Sequence, residues 1–487
     1  MIRITLLTLL IMYLSAFAWK NWFKAACWLV LLMAIFQHPD TPKSIAGVPG
    51  LNHWNFLFLN VVMSWLVNRK KEKLTWEMPK HLNFLLFFYA LFIVLSVIRY
   101  LNDPSGVLEL DATFGVSYDL GVSAINEYLI NCFKWVLPAL IIFDGCKTRK
   151  QYNFSVVMLA LMFVLLALQV IKSMKFGSLG MSGEQLQRRA LKVISRSVGY
   201  HRVNMSMMMS GAFWLVFCLK EFVSNKVHFY IIIPSCISIL LAMAMTGGRT
   251  GYATWAILGV VYCLFKWKKY LWFAPLVLGL VLVIAPSAIE RLTQGIVSQP
   301  DNEIVNEQID FSTSDDVDLQ SVTSGRVIAW PLVWESIKSA PFLGYGREAM
   351  KNIGITQKIM IEHGIGETFP HPHNLYLQWL QDNGFIGALP VFIFYFLMVK
   401  YSWNLYRDNT ERIYVVTGGM SLALILAFLI AGMGSQTFYP REGAVGMWVA
   451  MFLMLRVKLE RDKINKGLIS DLITPNDKYK SKYFVFK

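Results

Sequence analysis

The chain has 487 residues, of which 55% are hydrophobic and 16% are charged, with a mean hydropathy of +0.47 and a formal net charge of +15. Soluble domains carry about 25% charged residues, so this composition excludes an ordinary soluble protein and leaves most of the surface facing lipid. In a membrane protein an excess of Lys and Arg marks the cytoplasmic loops. The positive charge is therefore not evidence for a nucleic-acid partner.

Apolar segments follow one another along most of the chain, and a transmembrane helix needs about 20 mostly apolar residues. Eleven candidate spans lie at 54–68, 82–98, 128–143, 153–171, 203–219, 229–245, 251–265, 270–288, 385–403, 413–433 and 443–459. Two further apolar runs, 4–19 and 25–36, are either two short spans or one span and a re-entrant piece. The first run lacks a small-residue cleavage site, so we expect a retained membrane segment. We predict an all-α polytopic membrane protein with 12 or 13 transmembrane helices and a large, partly helical extracytoplasmic loop.

Lys and Arg residues in the predicted loops indicate the side of the membrane that each loop occupies. If the basic gap 69–81 is cytoplasmic, strict alternation also places in the cytoplasm the basic segments 144–152, 266–269 and 456–487. The predicted parts are then an N-terminal transmembrane bundle, an extracytoplasmic loop, C-terminal transmembrane helices and a basic cytoplasmic tail, at 1–288, 289–384, 385–459 and 460–487.

The outer loop 172–202 departs from this charge rule, because it holds seven basic residues. Arg188, Lys192 and Arg196 recur every four residues and would share one face of a helix. Such a helix could lie on anionic lipid headgroups. It could also form an electropositive wall for a phosphate-bearing lipid substrate.

The long loop 289–384 is acidic at first and then aromatic. Asp316 and Asp318 form a DxD triplet like the metal-binding one of nucleotide-sugar transferases, but the acidic run around them favours a solvated loop. An amphipathic helix that ends before Pro341 is predicted by the helical spacing of Trp330, Val333, Trp334 and Ile337. The six cysteines form no CxxC pair and none lies in a predicted outer loop, so we expect neither disulfides nor a metal site.

A glycine-rich turn, Thr246–Gly251, joins two predicted spans at their outer ends. Glycine permits a sharp turn and close approach of the backbone, and a helix N-terminus offers free N–H groups to an anion. Arg249 adds a forked cation suited to phosphate oxygens. The alternative is an arginine that extends to the lipid headgroups.

Two more polar sites lie in the long loop. Arg326 precedes the predicted amphipathic helix, and His371–Pro372–His373–Asn374 precedes an apolar helical run. A histidine at the membrane surface can accept a proton from a sugar hydroxyl near neutral pH. The two histidines could instead be a metal pair, and Asn374 could simply cap the helix that follows.

Together these motifs resemble those of the O-antigen ligase and O-antigen polymerase superfamily of bacterial envelope glycosyltransferases. The resemblance runs in chain order through Ser195–Tyr200 with Asn204, Thr246–Arg249, Ser324–Arg326 with Trp330, Pro341–Gly346, and His373–Asn374 with Gly384 and Gly387. One position departs from the pattern, since Gly248 stands where the family usually has a serine. This departure puts in doubt a hydroxyl contact at the turn, not the arginine.

The resemblance implies an inverting, metal-independent glycosyltransferase without a cofactor, in the bacterial inner membrane with its active site facing the periplasm. Its donor would be a glycan on undecaprenyl pyrophosphate and its acceptor a hydroxyl of a glycan or lipid. By position, Arg249 and Arg326 match the family's essential arginines and His373 matches its histidine. Further substrate contacts are predicted at Arg196, Arg188, Lys192, Asn374 and His371. The lipid bilayer and other polysaccharide-assembly proteins are the remaining partners expected.

The motifs do not separate a polymerase, which lengthens a glycan on its lipid carrier, from a ligase, which passes finished glycan to lipid A core or protein. We favour a polymerase, with a ligase as the alternative. A transporter for polyprenyl-linked glycans is a different class, and it should place ionisable groups near the membrane midplane. A purely structural scaffold would leave the ordered arginine and histidine motifs unexplained.

Overall fold

The computed structural model describes residues 2–42, 44, 50–113, 124–273, 326–363, 370–434 and 436–467, and all regular secondary structure in them is helical. Before residue 274 the α-helices of at least four residues are α1 (Ile2–Ala18), α2 (Trp22–Leu31), α3 (Met33–Phe36), α4 (His53–Lys71), α5 (Lys80–Asn102), α6 (Ser105–Thr113), α7 (Asn131–Gly145), α8 (Arg149–Met174), α9 (Gly183–Ser197), α10 (Arg202–Cys218), α11 (Ile233–Met245) and α12 (Arg249–Phe265). Continuous helical structure extends α7 and α11 at their N-terminal ends, to Ile125–Gly145 and Asn225–Met245. From residue 326 the α-helices are α13 (Arg326–Ser339), α14 (Ala349–Asn352), α15 (Ile355–His363), α16 (Leu375–Arg407), α17 (Arg412–Ala431) and α18 (Val445–Asn465).

The described part of the chain contains seven helices that are long and apolar enough to cross a membrane, and two shorter apolar helices near the N-terminus. The prediction of an all-α polytopic membrane protein is therefore confirmed. Every predicted span within the described residues coincides with helical structure. The span predicted at 270–288 lies mostly outside these residues, so the total of 12 or 13 stays a prediction.

Helix α17 occupies the centre of the bundle, where it packs against α10, α12, α16 and α18. Its small residues allow this, because membrane helices approach closely where side chains are short. A Cβ atom added at Gly418 would lie 2.3 Å from the backbone nitrogen of Tyr406, and one at Gly419 would lie 2.6 Å from the sulfur of Cys218. The path of α17 therefore fixes the positions of its neighbours.

Helix α16 is broken at Gly384, which adopts φ 63° and ψ −173°. A break inside a helix frees backbone groups that must find other partners when they are buried. The segment Pro341–Gly346 supplies them through four hydrogen bonds, from Tyr345 N to Gln381 O (2.9 Å), from Gly346 N to Asp382 O (2.8 Å), from Phe385 N to Pro341 O (2.7 Å) and from Ile386 N to Phe342 O (3.1 Å). The part of α16 before the break belongs to the predicted extracytoplasmic loop.

The loops predicted to be cytoplasmic meet at one end of the bundle. They are joined by polar contacts from Lys147 to Glu77 (2.7 Å), from Lys463 to Glu77 (3.0 Å), from Arg461 to Asp408 (3.0 Å) and from Lys266 to Asn409 (2.6 Å). Helix α12 ends at this basic end and begins at Arg249, whereas α17 begins here and is followed by Gly432. Arg249 and Gly432 consequently lie at the opposite end, called the distal end below.

We expect Gly384→Ala to lower the melting temperature of the detergent-purified protein, followed by tryptophan fluorescence. A backbone with positive φ and ψ near 180° is essentially restricted to glycine and costs another residue about 1–3 kcal/mol, and a Cβ here would come within 2.3 Å of the Phe342 carbonyl group. Gly177→Ala is the matched control, since a Cβ at Gly177 would meet no atom within 4 Å. Equal melting temperatures for the two variants would contradict this account of the break.

Candidate active site at the distal end

The turn Thr246–Gly248 aims the first residue of α12 across the distal end. Gly247 adopts φ 63°, a conformation that glycine reaches without strain. The hydroxyl of Thr246 accepts the backbone N–H of Gly248 at 3.3 Å, and Arg202 donates to the carbonyl of Gly247 at 3.3 Å. Both contacts hold the turn so that Arg249 starts its helix half-buried at the surface.

The absence of a serine at position 248 has a steric reason. A Cβ at Gly248 would lie 2.5 Å from the hydroxyl oxygen of Ser206 in α10, and one at Gly251 would lie 1.8 Å from it. The Ser206 hydroxyl donates to the carbonyl of Gly248 at 3.3 Å. A hydroxyl group is thus present beside the turn, but it comes from the neighbouring helix.

Three elements of the site converge on the segment Gly432–Gly434, called the glycine junction below. The backbone N–H of Leu375, directly after the histidine motif, donates to the carbonyl of Gly432 at 2.9 Å. The guanidinium of Arg326 donates to the carbonyl of Gly434 at 2.6 Å. A Cβ at Gly434 would lie 3.0 Å from the hydroxyl of Thr250, next to Arg249. Segments far apart in sequence therefore share one contact point.

The guanidinium groups of Arg249 and Arg326 lie close enough for their charges to interact. Burial lowers the pKa of Arg326, and the positive charge of Arg249 lowers it further. The Nε atom of Arg326 is buried and has no hydrogen-bond partner among the described residues. Two neighbouring cations and a remaining donor are the electrostatic conditions under which an anion binds.

Helix α13 connects the arginine to the histidine motif. Arg326 and Trp330 are four residues apart and lie on the same face of the helix. While Arg326 contacts the glycine junction, the indole N–H of Trp330 donates to the carbonyl of Pro372 at 2.9 Å. The helix thereby sets the separation of the guanidinium group from the histidine pair.

The two histidines of the motif pack together, with ring centroids 4.2 Å apart. The backbone N–H of His373 donates to Nδ1 of His371 at 3.2 Å. Asn374 caps α16, because its side-chain oxygen accepts the backbone N–H groups of Tyr376 and Leu377 at 2.9 and 3.2 Å. This capping role was one of the two alternatives for Asn374, and its substrate contact stays a prediction.

Two charged or titratable residues of this region were not among the predicted site residues. His201 precedes α10, and its pKa is lowered by burial and by the positive charges of Arg202, His373 and Arg441. Arg441 follows α17 in the sequence, and its charge also acts on His371. The only sequence signal was the position of each residue at the predicted outer end of a span, which is too common to single them out.

Arg347, directly after the Pro341–Gly346 segment, was also missed. It is 2% exposed and its guanidinium carbon lies 3.9 Å from the centre of the Tyr439 ring. The hydroxyl of Tyr439 donates to the carboxylate of Asp382 at 3.0 Å, and Arg347 lies 3.8 Å from the same carboxylate. This buried cluster supports the broken part of α16. The sequence alone does not indicate it, because the cluster depends on the pairing of Pro341–Gly346 with α16.

The basic residues predicted on one helix face do lie on one helix, α9. Its buried face carries Leu186, which packs against Gly247 of the turn. The side chains of Arg188, Lys192 and Arg196 are exposed, and Arg188 pairs with Glu184 of the same helix. The structure therefore places α9 beside the turn, with its basic face away from Arg249.

The acidic triplet Asp316 and Asp318 and the residues Ser324 and Gly325 lie outside the described residues. Within the described part of the chain no group of three or more His, Cys, Asp or Glu side chains is arranged to hold a metal ion. The six cysteines, all described, are buried and unpaired.

Comparison with known proteins agrees with the motifs. Residues 234–392, which include Arg249, Arg326 and His373, match the family described as O-Antigen ligase. A Rickettsia conorii protein, named provisionally as a polysaccharide ligase, is 24% identical over 226 residues, which are 46% of this chain and 50% of the relative. A Rickettsia felis protein with the same provisional name is 27% identical over 143 residues, 28% of this chain and 33% of the relative. The chain thus spans half or less of the length of these relatives, and its segment 234–392 is similar to the O-antigen ligase family.

Proposed function

We propose that this protein is a membrane glycosyltransferase that moves a glycan from undecaprenyl pyrophosphate to an acceptor hydroxyl during the assembly of a surface polysaccharide. In this reaction the hydroxyl oxygen attacks the anomeric carbon, the bond from that carbon to the pyrophosphate oxygen breaks, and the configuration inverts. The lipid pyrophosphate leaves with the bonding electrons, and the hydroxyl proton passes to a base.

The adjacency of Arg249 and Arg326 at the glycine junction carries this proposal. A pyrophosphate leaving group gains negative charge in the transition state, and fixed guanidinium groups stabilise that charge without reorganisation. Two like charges held together are unfavourable until an anion lies between them. Arg326 is additionally anchored by its bond to Gly434, so the cation is preorganised before the donor binds.

His373 is the proposed base for the acceptor hydroxyl. An imidazole has an ordinary pKa near neutrality and can accept a proton from an attacking oxygen. Trp330 holds the preceding peptide from the same helix that carries Arg326. The proposed base and the proposed leaving-group cations are therefore linked through one helix.

The exposed basic face of α9 is proposed to attract the phosphate-bearing donor toward the turn. Arg188, Lys192 and Arg196 lie near Gly247 but on the opposite side of α9 from it. They would act at longer range than the two junction arginines, by raising the local concentration of an anionic lipid. Their contribution should accordingly depend strongly on ionic strength.

The site is proposed to face the periplasm from the inner membrane. The positively charged loops meet at the end opposite to the site, and such loops are usually cytoplasmic. An undecaprenyl-linked glycan presented on the outer face would then reach Arg249 and Arg326 without crossing the bilayer. Polysaccharide-assembly proteins are the proposed partners on that side.

Within the class we favour a polymerase that lengthens a glycan on its carrier lipid. A ligase is the second candidate, and the provisional names of the two Rickettsia relatives favour it. Both reactions use the same donor and the same leaving group. The acceptor alone distinguishes them.

A deletion strain analysed for polyprenyl-linked glycans should decide between the two. Single repeat units that accumulate on the carrier indicate a polymerase, and long chains on the carrier indicate a ligase. Complementation with the wild-type gene should clear the accumulated species, whereas His373→Ala should not, although it inserts into the membrane at the same level. If His373→Ala restores transfer fully, His373 is not the base.

Inorganic pyrophosphate should raise the melting temperature of the purified wild-type protein, because it relieves the repulsion between Arg249 and Arg326. At ten times its dissociation constant a ligand stabilises the folded state by about 1.4 kcal/mol. Arg326→Gln should abolish this shift. Lys338→Gln, which removes an exposed cation from the same helix, should retain it, and an equal loss in both variants would indicate nonspecific charge screening.

We expect EDTA to leave glycan transfer by isolated membranes unchanged, because the two arginines take the place of a divalent cation. Transfer is measured before and after chelation, with addition of Mg²⁺ or Mn²⁺ as the reversal. Strong inhibition that either ion reverses would contradict metal independence. It would direct attention to Asp316 and Asp318.

A further inference from the structure

The backbone of His373 is held in a conformation that its residue type disfavours. Its φ angle is 49°, in the left-handed region that is unfavourable for residues with a Cβ atom. Such a conformation persists only when surrounding contacts determine it. The contacts on either side of His373 therefore decide where its imidazole lies.

One of these contacts comes from His371. Its Nδ1 atom accepts the backbone N–H of His373 at 3.2 Å, which closes a tight turn two residues long. The ring of His371 also packs against that of His373, with 4.2 Å between the centroids. His371 is thus bonded to the main chain of the residue whose side chain is the proposed base.

The neighbouring residues complete this support. The carbonyl of Pro372 accepts the indole N–H of Trp330 at 2.9 Å, and Asn374 caps the helix that follows. Proline also fixes its own φ angle. Backbone restraints therefore act on the residues between and after the two histidines.

The hydrogen bond fixes the tautomer of the neutral His371 ring. A ring nitrogen that accepts an N–H carries no proton, so the neutral ring has its hydrogen on Nε2. Burial and the positive charge of His373 lower the pKa of His371 to about 3, with Arg441 and Arg347 acting in the same direction and Glu348 in the opposite one. His371 is therefore neutral throughout the physiological pH range and does not exchange protons there.

The same two-residue turn occurs elsewhere in the protein without the unusual backbone. Nδ1 of His38 accepts the N–H of Asp40 at 3.2 Å, and Nδ1 of His201 accepts the N–H of Val203 at 3.4 Å. Among these three described turns, only the one at His371 has a positive φ at the residue whose N–H donates to the imidazole, which is His373. The turn at His371 thus stabilises a conformation that the other two do not need.

We propose that His371 is a positioning residue, which holds His373 in its left-handed conformation and so aims the His373 imidazole at the acceptor hydroxyl. This inference rests on the proposed function of His373. It reassigns His371 from the predicted direct contact with substrate to an action through its neighbour. Its imidazole contributes an acceptor atom at a fixed distance from the main chain, and its acid–base chemistry is not used.

The variants His371→Asn and His371→Gln both carry a side-chain amide, and together they distinguish a positioning role from direct action of the imidazole. The side-chain oxygen of asparagine can accept the N–H two residues later, as in an Asx turn, whereas glutamine has one more methylene and does not close that turn. We expect His371→Asn to transfer glycan within about threefold of wild type. We expect His371→Gln to lose on the order of 10- to 100-fold, because a misplacement of about 1 Å has effects of this size.

Transfer is measured with membranes of the complemented deletion strain, at equal protein levels and across the pH range 5.5 to 8.5, chosen to span the ordinary pKa of histidine of about 6.5. The pH profile of His371→Asn should coincide with that of wild type, because no titrating group is lost. His38→Ala, which removes the same type of turn outside the site, should match wild type. His373→Ala, assayed in parallel, tests the proposed function separately from this inference.

Wild-type activity in His371→Gln would overturn the positioning role. Equal loss in His371→Asn and His371→Gln, or loss of the acidic limb of the pH profile in His371→Asn, would show that the imidazole itself acts and would also overturn it. If His373→Ala remains active, the proposed function fails, whichever result the His371 variants give.

Discussion

The close packing of backbone at the glycine junction is the constraint on which the site depends. Gly432 leaves so little room that an added Cβ would lie 1.6 Å from the Leu375 side chain. Because no side chain intervenes, the carbonyls of Gly432 and Gly434 can bond directly to Leu375 and Arg326. Small residues in α17 serve the same purpose along the bundle. The end of the central helix is thus where the segments that carry Thr250, Arg326 and Leu375 meet.

A second constraint is the need to satisfy buried backbone groups in an apolar surrounding. The break at Gly384 exposes carbonyl and N–H groups in α16, and Pro341–Gly346 pairs with them on both sides of the break. The Arg347 and Asp382 cluster lies directly beneath this pairing. The segment that follows α13 is therefore fixed against α16, the helix that begins directly after the histidine motif.

The electrostatics of the site favour an anion on one side and a neutral acceptor on the other. Arg249 lowers the pKa of Arg326, a cost that a bound pyrophosphate would remove. At the histidine motif, burial and nearby cations keep His371 unprotonated. Two neighbouring cations favour the departure of a negatively charged group at the proposed site.

Composition and periodicity by themselves determined the membrane class, the positions of the helices and the helical segment that ends before Pro341, because apolar length and spacing are properties of local sequence. The motifs also marked Arg249, Arg326 and His373 before any contact was known. Tertiary structure alone decided that Gly432–Gly434 joins them, that Ser206 fills the space beside Gly248, and that the basic face of α9 points away from the turn. These features depend on which backbones approach across the bundle, and residues more than forty positions apart carry no local signal of their contact.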